Sequence, residues 1–162
     1  MSPKKNPDPD KKASSDATPD DADAARVDWQ DTPEEHDYPA AASYLSLLAD
    51  DGVVEATVAA FRVAQSAHFK AKDILRAAGL ALLPIDNPHV ASGLRKVHRG
   101  VALSPVLLVR GDAAAGRPAL IADGYHRVCA SYHTDENTDV PVRIVALSAG
   151  VVPASAVPAD RR

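Results

Sequence analysis

The chain has 162 residues, 46% of them hydrophobic and 25% charged, with a formal net charge of −4. That length holds one domain plus extensions rather than two domains, and with two Phe and one Trp the core must be built from Ala, Val and Leu. A single cysteine, Cys129, excludes an internal disulfide, and no apolar run approaches the ~20 residues that span a bilayer, so a cytoplasmic protein without membrane contact is expected.

Charge is unevenly placed. Residues 1–52 hold 5 Lys/Arg against 13 Asp/Glu, whereas residues 53–147 hold 11 against 8. Residues 1–37, rich in Asp, Pro, Ala, Ser and Lys, lack the apolar side chains that would offset ordering and are expected to form a disordered acidic arm that keeps the chain solvated. A mild positive balance over the remainder suits a small anionic ligand. Its charges are too few and too scattered for the basic stripe that nucleic acid requires, so that partner is not expected.

From Pro39, Tyr44, Leu45, Leu47 and Leu48 follow at helical spacing, and Val53 to about Ala64 repeats the pattern with Val54, Val58, Phe61 and Val63 inward. These N-terminal helices, residues 38–69, either complete the core or form a seam to a second copy or another protein. Lys70 to Ala78 predicts a third helix stopped by Gly79, Leu80–Leu83 a first strand, and Pro88 to His98 a helix with Val90, Leu94 and Val97 on one side. Pro105–Val109 and Ala119–Ala122 predict strands on either side of a Gly111–Gly116 loop, then a helix runs from about Gly124 to His133. Val140–Val145 closes the domain as a strand whose Pro141 suggests an edge or a start just after it. The fold class is α+β, a small mixed sheet flanked by helices over residues 70–147, with a flexible tail at 148–162.

The junction Asp123-Gly124-Tyr125-His126-Arg127 carries the chemistry. A helix start leaves backbone N–H groups unpaired at the positive end of the dipole, and here a histidine and an arginine sit on that first turn. Gly124 permits a sharp turn, and the Arg127 fork matches phosphate oxygens two at a time. The competing reading pairs Arg127 with Asp123 on the helix surface. The dipole favours a neutral His126 that donates to the ligand or to the backbone. Asp123 is either the N-cap or a carboxylate that holds Mg²⁺ or orients a nucleophile. Tyr125 either covers the sheet or stacks on a base. Cys129 points inward and should be inert. Lys96 lies one turn beyond Ser92, so both can face one site, with His89 at the start of their helix. Arg95, His98 and Arg99 complement the dipole at its end, and His133 reads as a solvated helix end.

The stretch from about Lys70 to Val145 resembles the ParB/sulfiredoxin-like superfamily. The resemblance rests on Asp123-Gly124-Tyr125-His126-Arg127, with Ser104–Val109 and Asp139–Val145 like the flanking strands of that family. It covers about half the chain. The resemblance implies a nucleoside-triphosphate site in which Gly124, His126 and Arg127 contact phosphates, Ser92 and Lys96 add contacts from the preceding helix, and Mg²⁺ bridges the phosphates. Arg76 has a looser match to a basic residue near the first strand. Tyr125 stands where sulfiredoxin carries its catalytic cysteine, so sulfinic-acid reduction by that route is excluded. The partition proteins continue into a helical DNA-binding domain, and only 15 residues follow the domain's end at residue 147 here, so centromere binding is not expected. Three readings remain: a nucleotide-binding domain, with Asp123 as the candidate catalytic group if it is a hydrolase or phosphotransferase; a non-catalytic interaction module; or a ParB-like nuclease. The absence of a multi-carboxylate metal constellation weighs against the nuclease.

Overall fold

The computed structural model describes residues 25–148, and the expectations for residues 1–24 and 149–162 lie outside the described residues. In chain order the elements are α1 (Asp37–Leu45), α2 (Asp51–Val63), β1 (Ser66–Lys70), α3 (Ala71–Ala78), α4 (Pro88–His98), β2 (Val106–Val109), β3 (Leu120–Asp123), α5 (Tyr125–Thr134) and β4 (Asp139–Val145). The class is α+β, with one mixed sheet of order β1-β4-β2-β3. β4 is antiparallel to β1 and parallel to β2, while β2 is antiparallel to β3. The parallel pair needs a long crossover, which β3 and α5 supply.

Both faces of the sheet are covered. Val106, Leu108, Ile121, Val140 and Val142 lie in one apolar cluster with side chains of α3, α4 and α5. On the other side Leu107, Val109 and Ala122 meet Tyr38, Ala41, Leu45, Val54 and Phe61 of α1 and α2. Strand alternation sends successive side chains to opposite faces, so β2, buried at all four residues, reads as an unbroken apolar run. The N-terminal helices therefore complete the core, and the boundary expected between residues 69 and 70 falls inside β1.

Several expectations are corrected. α1 starts at Asp37 and turns Tyr38, Ala41 and Leu45 inward, leaving Tyr44, Leu47 and Leu48 exposed. In α2 the buried positions are Val54, Thr57 and Phe61, and Val63 is exposed. Thr57 fits the core because its hydroxyl donates to the Val53 carbonyl at 2.7 Å. No periodicity announces β1, an edge strand with only β4 beside it. Leu80–Leu83 is irregular instead: the Ala81 carbonyl accepts from the Tyr125 hydroxyl, and the Leu83 carbonyl lies 2.8 Å from His133 Nε2. Side chains of α5 satisfy this segment in place of a strand ladder, which makes His133 a partly buried anchor rather than a solvated helix end.

Residues 25–37, expected within the disordered arm, are ordered. Val27 packs with Val97 and Leu103, Gln30 N donates to Leu103 O at 2.8 Å, and Leu103 N donates to Asp28 O at 2.8 Å. Backbone pairing to Leu103 holds this polar segment with little apolar burial. Pro141 lies inside β4, an interior strand, yet it pairs only with His68, since the ladder to β2 begins at Val142. The strand is edge-like over Asp139–Pro141, where a missing N–H is harmless.

Candidate functional site

The strand-to-helix junction folds as its residues require. Gly124 has φ +108°, and a Cβ there would lie 2.9 Å from Val106 Cγ2 and 3.1 Å from Arg127 Nη2. The turn therefore needs glycine both for its backbone and for its space. Gly124, not Asp123, is the N-cap of α5, and the helix opens without a side-chain cap. α4 begins at the other side of the same region, where Asn87 Oδ1 accepts from His89 N at 3.0 Å and Val90 N at 3.3 Å with Pro88 in the first turn. Gly93 brings α4 and α5 together: a Cβ on it would lie 3.1 Å from Ala130 Cβ.

That close packing creates a cleft of about 250 Å³. His89, Ser92 and Lys96 line it from α4, His126 and Arg127 from α5, and Glu34, His36 and Ser104 from the preceding segments. Five side chains named from the sequence thus meet in one place. The rings of His89 and His126 are 4.7 Å apart. Burial holds His126 below the usual histidine range, with the nearby His89 and Arg127 charges acting the same way. The imidazole is therefore neutral near pH 7, as the sequence implies, although burial rather than the helix dipole is the main cause.

Arg127 has several partners. Its Nη2 lies 2.7 Å from Asp123 Oδ2 and donates to the Pro105 carbonyl at 3.2 Å, while its Nη1 lies 3.6 Å from Asp37 Oδ1. Its Nε is buried with no partner among the described residues. Asp123 faces Arg127 and does not line the cleft. Burial pushes its carboxyl above the usual range; the Arg127 charge opposes that shift and the Asp37 charge adds to it. Asp37 is only 1% exposed, and its Oδ2 accepts from the Ser104 hydroxyl and from Glu34 N at 3.0 Å.

The remaining candidates fall elsewhere. Tyr125 packs against the core and bonds the Ala81 carbonyl, consistent with a covering role. Cys129 is buried, and burial pushes its thiol up, which suits an inert side chain. Arg76 pairs with Asp73 at 2.9 Å and lines a separate groove with Arg110 and Arg117. Glu34, His36, Asp37 and Ser104 were not legible as site residues, because the Ser104–Asp37 contact joins positions 67 residues apart. The one local signal is a histidine set among carboxylates directly before a helix.

The chain matches no family model, no curated protein and no solved structure. Among the described residues no helix is long and apolar enough to cross a membrane.

Proposed function

We propose that the cleft at the start of α5 receives the phosphate end of a nucleoside triphosphate, and that the chain is a nucleotide-binding domain of the ParB/sulfiredoxin-like kind. The observation that carries this reading is the convergence of Ser92, Lys96, His126 and Arg127 on one cleft at an uncapped helix start. Element order from α4 through β4, with glycine required at the turn, supports the family likeness. A volume of about 250 Å³ is below the ~300–1,000 Å³ of pockets that enclose whole ligands, so the phosphates enter and the nucleoside rests across the rim. Mg²⁺ accompanies the triphosphate as its counter-ion. Asp123 is committed to Arg127, so hydrolysis or phosphoryl transfer would need a water-orienting group from elsewhere, and the reading stops at binding.

Calorimetric titration of ATP, CTP, GTP and UTP with Mg²⁺ tests it. At least one nucleotide should bind the wild type, and Lys96→Ala should weaken it by about 10-fold or more, the worth of one charge-assisted bond. Lys96 is a cleaner probe than Arg127, whose removal strips Asp37 and Asp123 of their counter-charge. No binding to folded protein would reject the proposal. The engagement of Arg127 by Asp123, Asp37 and Pro105 favours a second reading, in which the motif is structural and the chain a non-catalytic interaction module. Binding that is absent for every nucleotide, with a partner retained by the folded protein, would support that alternative.

A further inference from the structure

A groove of about 470 Å³ opens between α3, the β2–β3 hairpin and the strands beneath them, and it shares no lining residue with the cleft at the start of α5. Its floor is apolar. Leu108 of β2 lies beside Ile144 of β4 in the parallel ladder, and Ile74 of α3 and Phe69 of β1 extend the same surface. Phe69 is 38% exposed and Ile144 only half-buried, so the fold leaves part of this floor in water. Strand alternation puts Arg110 on the face of Leu108, and Arg110 N donates to the Val145 carbonyl at 2.8 Å, which fixes its backbone at the groove. Ala119 N donates to the Ala77 carbonyl at 3.0 Å and ties α3 to the entrance of β3.

Three guanidinium groups line this groove, and two of them are already matched. Arg76 Nη2 is 2.9 Å from Asp73 Oδ1, and Arg117 Nη2 is 3.1 Å from Asp112 Oδ2. Arg110 makes no ion pair among the described residues. One uncompensated positive charge therefore stands over an apolar floor. We propose that the groove binds a small monocarboxylic acid with an apolar body, a medium-chain fatty acid or an aryl carboxylate, its carboxylate on Arg110 and its body on Phe69, Ile74, Leu108 and Ile144. The guanidinium fork takes both carboxylate oxygens at once, and the body covers apolar surface that the chain leaves in water. The volume lies within the ~300–1,000 Å³ of pockets that enclose small ligands, and a mostly apolar lining with few polar groups is their usual composition. A phosphate or nucleotide fits less well, since a strongly hydrated, multiply charged anion gains nothing from the floor and meets one free guanidinium. The site stands without the phosphate reading of the cleft, since different residues build it.

The test titrates the full chain with octanoate and with phenylbutyrate, and with octanol as the neutral comparator, followed by amide-resolved NMR. At least one acid should give saturable shifts centred on Phe69, Ile74, Arg110 and Gly111, and the tighter of the two tells an aliphatic from an aryl body. Octanol should bind at least about 10-fold more weakly than octanoate, the worth of one charge-assisted bond, and Arg110→Gln should lower the affinity for the acid by a similar factor while leaving octanol unchanged. Ala77→Phe, which fills the groove from α3, should abolish binding of both, and Arg99→Gln should alter neither. Arg110 and Ala77 are exposed, so both variants should keep the wild-type unfolding midpoint. No saturable shift with either acid on folded protein, or acid binding unchanged in Arg110→Gln, overturns the proposal. So do shifts at the groove that follow protein concentration instead of ligand, which would put a second copy of the chain there.

Discussion

Replacing Gly124 by alanine separates two costs that usually come together, when it is set beside the same change at Gly79. Gly79 closes α3 at φ +63° with nothing within 4 Å of an added Cβ. There the substitution meets only left-handed strain of ~1–2 kcal/mol, partly offset by the ~0.4–1 kcal/mol gained from a stiffer unfolded chain. The net loss is about 1 kcal/mol. At Gly124 the φ is +108°, and the new Cβ would meet Val106 Cγ2 at 2.9 Å, Arg127 Nη2 at 3.1 Å and Val106 Cγ1 at 3.3 Å. Val106 is fully buried in β2, paired with Val142 of β4, and cannot retreat without moving the strand. Overpacking adds ~1–3 kcal/mol, for a total of about 2–4 kcal/mol. Urea unfolding at constant m-value measures both variants, and in heat each kcal/mol should appear as about 2–4 °C. Equal midpoints for Gly124→Ala and Gly79→Ala would refute the claim that the turn is shaped by the Val106 and Arg127 contacts.

Phe61→Ala should cost ~3–5 kcal/mol and leave a single unfolding transition, because α2 shares its core with Leu107 of the central sheet; a separate early transition of the N-terminal helices would contradict this. Gly93→Val should cost ~1–3 kcal/mol by forcing α4 from α5, and should weaken nucleotide binding through displaced Ser92 and Lys96, as calorimetry on the folded variant would register. His126 titrates below its usual ~6.5 in the folded state, so its contribution to stability is full above about pH 6.5 and is lost as pH falls toward the lower folded value. Urea midpoints across that range should flatten in His126→Gln. Asp123 has the opposite sign: its folded pKa is raised, so its contribution is present below ~3.9 and is lost as pH rises through the higher folded value, a component that Asp123→Asn should remove from the same pH series.

The helices and strands around the junction were legible where local rules agree with the tertiary outcome. Asn87-Pro88 starts α4 and the Val106–Val109 run gives a strand buried on both faces, each for a reason contained in a few neighbouring residues. Helical spacing puts Ser92 with Lys96, and the strand-to-helix turn puts His126 with Arg127, but only the family resemblance joined the two pairs at one cleft. β1 was not legible, since an exposed edge strand with Ala67 as its one small apolar contact to the core carries no alternation. Leu80–Leu83 misled because its apolar side chains resemble a strand, while its carbonyls are satisfied by Tyr125 and His133 more than forty residues away. The contribution of Glu34, His36 and Ser104 to the cleft was hidden for the same reason. Asp37 acquires its role only when Ser104 and Arg127 arrive from distant parts of the chain.

The central claim is that an anion binds at the start of α5, between α4 and the segment before α1. The most direct measurement is an amide-resolved NMR titration of the full chain with Mg²⁺-pyrophosphate and with each Mg²⁺-nucleotide. Saturable shifts centred on Gly124, Tyr125, His126 and Arg127 and on Ser92 and Lys96 are expected, and Lys96→Ala should need about 10-fold or more ligand to reach them. Shifts confined to the Arg76, Arg110 and Arg117 groove, or none at all on folded protein, would contradict it.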